Sequence, residues 1–251
     1  MMSDPAAIFS RTALEVSRLV FVEHVDSTNT FIREREQDLG DFALVLSDHQ
    51  TDGRGRLNRS WVGDKGETLA MSLLLPADLS GGLGGLLPLL VGASLRAALR
   101  SHGVDSVEMK WPNDILAGRN KLAGVLCEVL PSSAIVAGVG LNLVFRAEAP
   151  TAGAVSLATL GVAGFESVDL IVATWIATLR KVLDLPDQAR HNFASENLGT
   201  LGREVEVEDL FGSKWRGTAE SLRNDGALLV RAMEDESLRE VVAADVHHLY
   251  Q

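Results

Sequence analysis

Apolar residues along the chain fall into short runs separated by polar and glycine-containing stretches. The runs at 19–25, 42–46 and 67–75 are mostly apolar and have strand length, so they predict buried strands. Residues 86–100 repeat apolar side chains at helical spacing and predict a helix packed on a core. Pro88 fits this helix only within its first turn, where no backbone N–H is needed. The first hundred residues thus mix strands and helices.

The same pattern continues through the second half of the chain. It predicts a strand ending at Lys110, strands at 115–116, 121–129 and 134–143, and helices at 166–184 and 187–198. Two shorter helices are predicted earlier, one within 3–19 and one through 31–36. Ser27 or Thr28 would cap the second of these.

The pattern changes character from Leu201, where valines alternate with glutamates. Residues 224–226, Asn-Asp-Gly, form a hairpin-turn signal, and short strands are predicted at 228–230 and 241–242. We therefore expect an α+β protein in two parts: a larger domain over 1–199 and a small β-barrel-like domain over 200–251.

Composition narrows the classes of function. The 251 residues are 46% hydrophobic and 23% charged, which is ordinary for a soluble globular protein. The net charge of −11 argues against general nucleic-acid binding, and no apolar run is long enough to cross a bilayer. A single cysteine, Cys127, excludes an internal disulfide framework, and the histidines show no metal spacing. We expect a cytoplasmic protein with no nucleic-acid, membrane or protein-bound metal partner.

The densest chemistry lies in residues 47–61, SDHQTDGRGRLNRSW, directly after the strand at 42–46. Gly53 and Gly55 permit close backbone approaches that a Cβ would block. Planar, permanently charged donors suited to phosphate or carboxylate are supplied by Arg54, Arg56 and Arg59. The loop predicts a site for an anionic ligand, although taken alone it fits a solvated basic turn equally well.

Two further segments carry polar groups at the ends of predicted elements. Residues 26–30, DSTNT, would start a helix whose free N–H groups favour an anion, although a plain helix cap is the more common role. The segments KWPND and GRNKLAGVLCEV form a predicted hairpin edged by Lys110, Asp114 and Lys121. In GVGLNL, at 138–143, the G-x-G opens no helix, so it is not a dinucleotide-binding fingerprint.

The combination and order of these segments closely resemble the biotin–protein ligases (biotin–[acetyl-CoA-carboxylase] ligases) over roughly residues 20–250. The resemblance implies a mixed sheet packed against helices, like class II aminoacyl-tRNA synthetases, with an SH3-like C-terminal barrel. It also implies that biotin and MgATP form biotinyl-5′-AMP, from which a lysine of a biotin carboxyl carrier domain of an acyl-CoA carboxylase takes the biotin. Mg²⁺ would arrive with ATP and be held mainly by the phosphates.

The resemblance also assigns residues. Lys121, Arg56 and Asp114 are the implied catalytic residues: Lys121 bridges the biotin carboxylate and the α-phosphate, and Asp114 orients the acceptor amine or takes its proton. The implied biotin contacts are Ser27, Thr28, Asn29, Gln50, Gly53, Arg54, Arg56, Lys121 and Gly124. The implied ATP contacts are Arg54, Arg56, Arg59, Trp61, Lys110, Asn113 and Asn142.

Two departures from the family pattern matter. Asn58 stands where the family usually has a glycine, and asparagine tolerates left-handed backbone well enough for the loop to close. About 20 residues precede the first strand, too few for a helix-turn-helix domain, which predicts the ligase-only type. The alternatives are a lipoate or octanoate ligase or transferase of the same fold group, a biotin-responsive DNA-binding regulator, and an inactive biotin-binding homologue.

Overall fold

A computed structural model describes residues 8–249, apart from the side chains of residues 58, 80 and 81. The larger domain is built on a seven-stranded sheet with the order β1-β2-β3-β7-β6-β5-β4. Its strands are β1 Arg18–Phe21, β2 Ala43–Ser47, β3 Thr68–Leu75, β4 Val107–Lys110, β5 Asp114–Ala117, β6 Asn120–Val129 and β7 Ile135–Asn142. Strands β1 and β2 pair in parallel, and the remaining pairs are antiparallel.

Helices cover the sheet unequally. They are α1 Thr12–Glu15, α2 Thr28–Leu39, α3 Ser80–Leu83, α4 Leu86–Ser101, α5 Phe165–Leu183 and α6 Asp187–Asn197, with 3₁₀ turns at Arg56–Asn58, Ala77–Leu79 and Ala158–Leu160. Pro88 is the third residue of α4, in the first turn as predicted. Within residues 8–249, no helix combines the length and apolar character needed to cross a membrane.

The alternation of side chains along β3 separates two faces of the sheet. Leu69, Met71 and Leu73 join the large core that includes the buried residues of α4 and α5. On the opposite face, Leu74 belongs to a smaller core formed with Ile32 of α2. Helix α2 covers only part of this second face, and the functional site occupies the remainder.

A second, antiparallel sheet follows, with the order β11-β10-β9-β8-β12. Its strands are β8 Glu204–Glu208, β9 Lys214–Leu222, β10 Leu228–Ala232, β11 Leu238–Val241 and β12 Asp245–His248. Val205 and Val207 of β8 are buried while the glutamates between and beside them are not, as the alternation predicted. The two sheets confirm the predicted α+β class with a small C-terminal β domain.

Some predicted elements differ from the observed ones. The strand predicted at 19–25 ends at Phe21, and Val25 forms only an isolated bridge to Gln50. The helix predicted at 31–36 begins at Thr28, because Ser27 is already extended and sits at the N-cap. The strand predicted at 241–242 is wrong in its bounds, since β11 ends at Val241.

Other elements were missed or fall partly outside the described chain. Strands β9 and β12 escaped prediction because their outward-facing residues are charged and interrupt the apolar pattern. The helix predicted within 3–19 lies partly outside the described residues, and α1 is the helix within 12–19. Asp169 of α5 accepts hydrogen bonds from the backbone N–H groups of Arg11 (3.0 Å) and Thr12 (2.9 Å), which binds α1 to the main helices.

The two sheets meet around Trp111, whose side chain is 2% exposed. Its backbone N–H donates to Thr200 Oγ1 at 2.9 Å, and its indole Nε1 donates to the carbonyl of Gly226 at 3.0 Å. The N–H of Gly199 donates to the carbonyl of Met109 at 2.8 Å. The domain boundary near residue 199 stays a prediction, and hydrogen bonds and apolar packing cross it.

His248 is buried in this junction, with its Nε2 3.0 Å from Thr200 Oγ1. Burial and the positive charges of Arg203 and Lys110 lower the pKa of His248 to about 4. Glu108 lies 3.7 Å from His248 Nδ1, but it pairs more closely with Arg203, at 2.5 Å, so it does not offset this effect. The imidazole is therefore neutral in the folded protein at neutral pH.

We expect the free energy of unfolding to fall as the pH drops from 6.5 towards 4. In that window the unfolded state binds a proton at His248 and the folded state does not, which amounts to about 3 kcal/mol at most. Below pH 4 both states are protonated and the loss stops. Urea unfolding at several pH values would measure it in the wild type and in His248→Gln, which should have a shallower slope; equal slopes would contradict the assignment.

Candidate active site

Strand register brings distant segments together on the open face of the large sheet. Lys110 of β4 lies opposite Asp114 of β5, Asp114 opposite Gly124 of β6, Gly124 opposite Gly140 of β7, and Gly140 opposite Ala70 of β3. Directly opposed residues project from the same face of a sheet. This row therefore crosses five strands and lines one cavity of about 240 Å³.

Glycines make the floor of the cavity deep enough to hold an aromatic ring. The Trp61 indole lies over Gly124 and Gly140, and a Cβ at Gly140 would overlap it. A Cβ at Gly124 would come within 3.1 Å of Lys121 Nζ and 3.3 Å of Trp61 Cζ3. A glycine inside a strand often marks such a close approach. The glycines of KLAG and GVG were therefore an available sequence signal for this floor.

One end of the cavity carries neutral hydrogen-bonding groups from the start of α2. Ser27, Thr28 and Asn29 are all less than 7% exposed, and all three line the cavity. The side chain of Ser27 makes no capping hydrogen bond. Instead, Gln50 Oε1 accepts the backbone N–H of Thr28 at 2.9 Å, so a residue three positions after the end of β2 stabilises the first turn of α2.

The loop of residues 53–61 closes on itself as a narrow hairpin above the cavity. The N–H of Gly55 donates to the carbonyl of Arg59 at 2.7 Å. The N–H of Trp61 donates to the carbonyl of Gly53 at 2.8 Å. A Cβ on Gly53 would lie 2.5 Å from the Trp61 carbonyl oxygen. The left-handed backbone falls on Leu57, with φ of 56°, one residue before Asn58.

The three arginines of this loop have different environments. Arg54 is exposed and pairs with Asp52 at 3.0 Å. Arg56 is partly buried, and burial lowers the pKa of its guanidinium. Arg59 reaches the C-terminal sheet and forms a two-pronged ion pair with Asp245 of β12, one prong of which is 3.1 Å long. The hydrogen bond to Asp245 raises the pKa of Arg59.

Two lysines flank one carboxylate at the opposite end from Thr28. Lys121 Nζ lies 2.6 Å from Asp114 Oδ1 and 5.6 Å from the centre of the Trp61 ring. Burial lowers the pKa of Lys110. The negative charge of Asp114 opposes this lowering, and the positive charge of Lys121 increases it. Lys110, Lys121 and Arg56 therefore form a cationic wall in which Asp114 is the main counter-charge of the two lysines and Asp245 that of Arg56.

Two asparagines support this wall through the backbone. Asn142 Nδ2 donates to the carbonyls of Lys121 (3.1 Å) and Val155 (3.0 Å), which fixes the strand that carries Lys121. Asn113 Nδ2 donates to the carbonyl of Val125 at 2.8 Å and fixes the turn before β5. Both asparagines line the cavity, and their predicted contact with a nucleotide stays a prediction.

The structure brings nearly all the sequence-predicted site residues to this one cavity. Residues that line it are Ser27, Thr28, Asn29, Gln50, Arg54, Arg56, Arg59, Trp61, Lys110, Asn113, Asp114, Lys121, Gly124 and Asn142. Gly53 does not line it and instead lies behind Trp61. Sequence reasoning missed Asp245, Ser72 and Glu128: Asp245 comes from the predicted second domain, no local motif marks Ser72, and Glu128 lies within GRNKLAGVLCEV but was not singled out. The chemical roles of all these residues stay predictions.

No group of three or more His, Cys, Asp or Glu side chains within the described chain is arranged to hold a metal ion. The two carboxylates of the cavity are each engaged by a cation, Asp114 by Lys121 and Asp245 by Arg59. An anionic ligand can therefore bind these cations in place of the carboxylates.

Comparison with known proteins identifies the family. The Biotin/lipoate A/B protein ligase family matches residues 21–142. The biotin–[acetyl-CoA-carboxylase] ligase of Mycobacterium tuberculosis is 31% identical over 243 residues, which cover 92% of this chain and 89% of that protein. This chain belongs to the biotin protein ligase family.

A solved family member has the same architecture. The structure of the biotin protein ligase from Aquifex aeolicus in complex with biotin and ATP matches with a TM-score of 0.77 and 26% identity, and covers 94% of this chain and 100% of that one. The bifunctional ligase/repressor BirA of Escherichia coli is 31% identical over 169 residues. The match covers 65% of this chain but only about half, 53%, of that protein. The second sheet is consistent with the predicted SH3-like domain.

The Arg59–Asp245 pair joins the loop to the C-terminal sheet, so we expect Asp245→Asn to loosen residues 53–61. The substitution removes the ionic attraction and leaves one acceptor oxygen where the two-pronged pair uses two. Amide hydrogen exchange at Gly55 and Trp61 should quicken by roughly three- to tenfold. Glu206→Gln is a matched control, because it breaks exposed ion pairs of the same sheet that do not reach the loop. Equal exchange in both variants would refute a role for Asp245.

Proposed function

We propose that this chain activates biotin with MgATP to biotinyl-5′-AMP and transfers biotin to a lysine of a biotin carboxyl carrier domain. The observation that carries the proposal is the polarity of the cavity. Neutral groups at Ser27, Thr28 and Gln50 suit a ureido ring, whereas Lys110, Lys121 and Arg56 at the other end suit a carboxylate and phosphates.

In the first step, a biotin carboxylate oxygen attacks the α-phosphorus, and the bond from that phosphorus to the pyrophosphate oxygen breaks. Two anions must approach each other, so preorganised cations lower the barrier most. Lys121 has the position for this role, since Asn142 fixes its backbone and its ammonium reaches over Gly124. Mg²⁺ would enter with ATP and be held mainly by its phosphates.

In the second step, the acceptor amine attacks the acyl carbon of the mixed anhydride, AMP leaves, and the amine loses a proton. Asp114 is paired with Lys121 at 2.6 Å. When the substrate anions bind Lys121, that pairing weakens and Asp114 becomes available to orient the amine or take its proton. Asp114 would thus act first as the partner of Lys121 and then as the partner of the acceptor amine.

We expect Lys121→Ala to lower biotin-dependent ATP–pyrophosphate exchange by at least about 10²-fold, because it removes a cation aimed at the developing charge. Thermal unfolding should change little, since the side chain is partly exposed. Lys181→Ala, which removes an exposed lysine on α5, is the control and should keep wild-type exchange. Near-wild-type exchange in Lys121→Ala would remove Lys121 from the mechanism.

We expect Arg56→Gly to release biotinyl-5′-AMP at least about tenfold faster, because the partly buried guanidinium pairs strongly with a phosphate. Leu57→Gly is the matched control: it adds backbone freedom to the same loop but removes an exposed, uncharged side chain that does not line the cavity. Dissociation of preformed adenylate measures both. Equal acceleration would attribute the effect to loop flexibility rather than to the Arg56 charge.

The function itself is tested by exchange of pyrophosphate into ATP with biotin, lipoate or octanoate as the only acid. Exchange with biotin alone supports the proposal, and transfer to a purified carrier domain would complete it. Exchange with lipoate or octanoate instead would move the function to that branch of the matched family. A folded protein that binds biotin without exchange would be a sensor or an inactive homologue.

A further inference from the structure

A chain of four hydrogen-bonded side chains lies under the neutral end of the cavity. Asn29 Nδ2 donates to Glu128 Oε2 at 2.6 Å, Asn29 Oδ1 lies 2.6 Å from Ser72 Oγ, and Ser72 Oγ lies 2.7 Å from Thr28 Oγ1. Ser72 is fully buried, and Thr28 and Asn29 are 3% and 6% exposed. Solvent therefore has little access to reorient these groups.

The ionic end of the chain fixes the direction of every hydrogen bond. Glu128 pairs with Arg33 at 2.6 Å, and a carboxylate only accepts. Asn29 must therefore turn its NH₂ group towards Glu128, where the carbonyl of Leu126 at 3.4 Å is also an acceptor. Its amide oxygen consequently faces Ser72 and can only accept.

The remaining hydroxyl hydrogens follow by counting. Ser72 has one hydrogen, and Asn29 Oδ1 requires it. The 2.7 Å contact between the two hydroxyls must then use the hydrogen of Thr28. Gln50 Oε1 accepts the Thr28 backbone N–H and, at 3.2 Å from Thr28 Oγ1, is a second, more distant acceptor for the same hydroxyl hydrogen. The Thr28 oxygen is left with lone pairs and no hydrogen for a ligand.

We propose that Ser72 and Glu128 are positioning residues that make Thr28 an obligate acceptor for a ring N–H of the biotin ureido group. The inference rests on the proposed function and adds to it how the site would discriminate between a ring N–H and a ring oxygen. A ligand with a ring oxygen in place of that N–H would set lone pairs against lone pairs. The network therefore selects hydrogen-bond polarity, whereas the cavity walls select shape.

Sheet register supports the arrangement. Ser72 lies two residues beyond Ala70 on the same face of β3 and is directly opposite Gly138 of β7. A Cβ at Gly138 would overlap Asn29 Oδ1, so a glycine there leaves room for the amide. Glu128 comes from β6, two residues past Leu126, which pairs with Gly138. Strands β3 and β6, on either side of β7, thus supply Ser72 and Glu128, and the first turn of α2 supplies Thr28 and Asn29.

The test compares binding of biotin with binding of its two cyclic-carbamate analogues, in each of which one ureido N–H is replaced by oxygen. Titration calorimetry on the full chain should show wild type favouring biotin over the analogue with oxygen facing Thr28 by at least about 10²-fold. In Ser72→Ala the Thr28 hydroxyl can rotate and donate to the ring oxygen, so the ratio should shrink at least tenfold.

Glu128→Gln should shrink the same ratio, because a glutamine can donate or accept and lets Asn29 reverse. It also provides the decisive variant if Ser72→Ala does not fold. Ser94→Ala removes an equally buried hydroxyl on α4, outside the network, and should keep the wild-type ratio. A wild-type ratio in a folded Ser72→Ala or Glu128→Gln overturns the relay, as does a wild type that does not discriminate. Failure of wild type to bind biotin at all would instead overturn the proposed function.

Discussion

The unequal covering of one sheet is the constraint on which the rest of the structure depends. One face is sealed by α4 and α5 over a continuous apolar core. The other face receives only α2 and a much smaller core, which leaves its remaining part lined by glycine, alanine and polar residues. A sheet with one sealed face is rigid enough to hold side chains on the open face at fixed spacing. The cavity is this uncovered part of the sheet.

Cations of the cavity are paired with carboxylates of the same cavity. Lys121 is held by Asp114, and Arg59 is held by Asp245, so the two carboxylates, whose side chains are only 20% and 21% exposed, are not left unpaired. Burying an isolated charge would be costly, and these pairs avoid most of that cost. Substrate phosphates would replace the carboxylates as partners of these cations. Because Asp245 belongs to β12, the loss of its pairing with Arg59 would also affect the C-terminal sheet.

The neutral end works by a different principle. There Glu128 lies outside the cavity. Through Asn29 and Ser72, its charge fixes the direction in which the hydroxyl hydrogens point. In the proposed reaction, the cationic end would attract the carboxylate and the phosphates, and the neutral end would recognise the ureido ring. Helix α2 supplies Thr28 and Asn29 of the neutral end from its first turn, and its buried Ile32 anchors the helix to the sheet.

The sequence by itself determined most elements of the fold and most residues of the cavity. Strands such as β3 and helices such as α5 follow from apolar spacing, which is a local property, and GRGR, KWPND and KLAG mark their segments by residue type. Tertiary structure alone decided the rest. Charged outward residues hid β9 and β12, and the roles of Ser72, Glu128 and Asp245 depend on strand register and on packing between the two sheets. Local patterns do not reveal these roles because the partners are distant in the chain: Asp245 meets Arg59 across 186 positions.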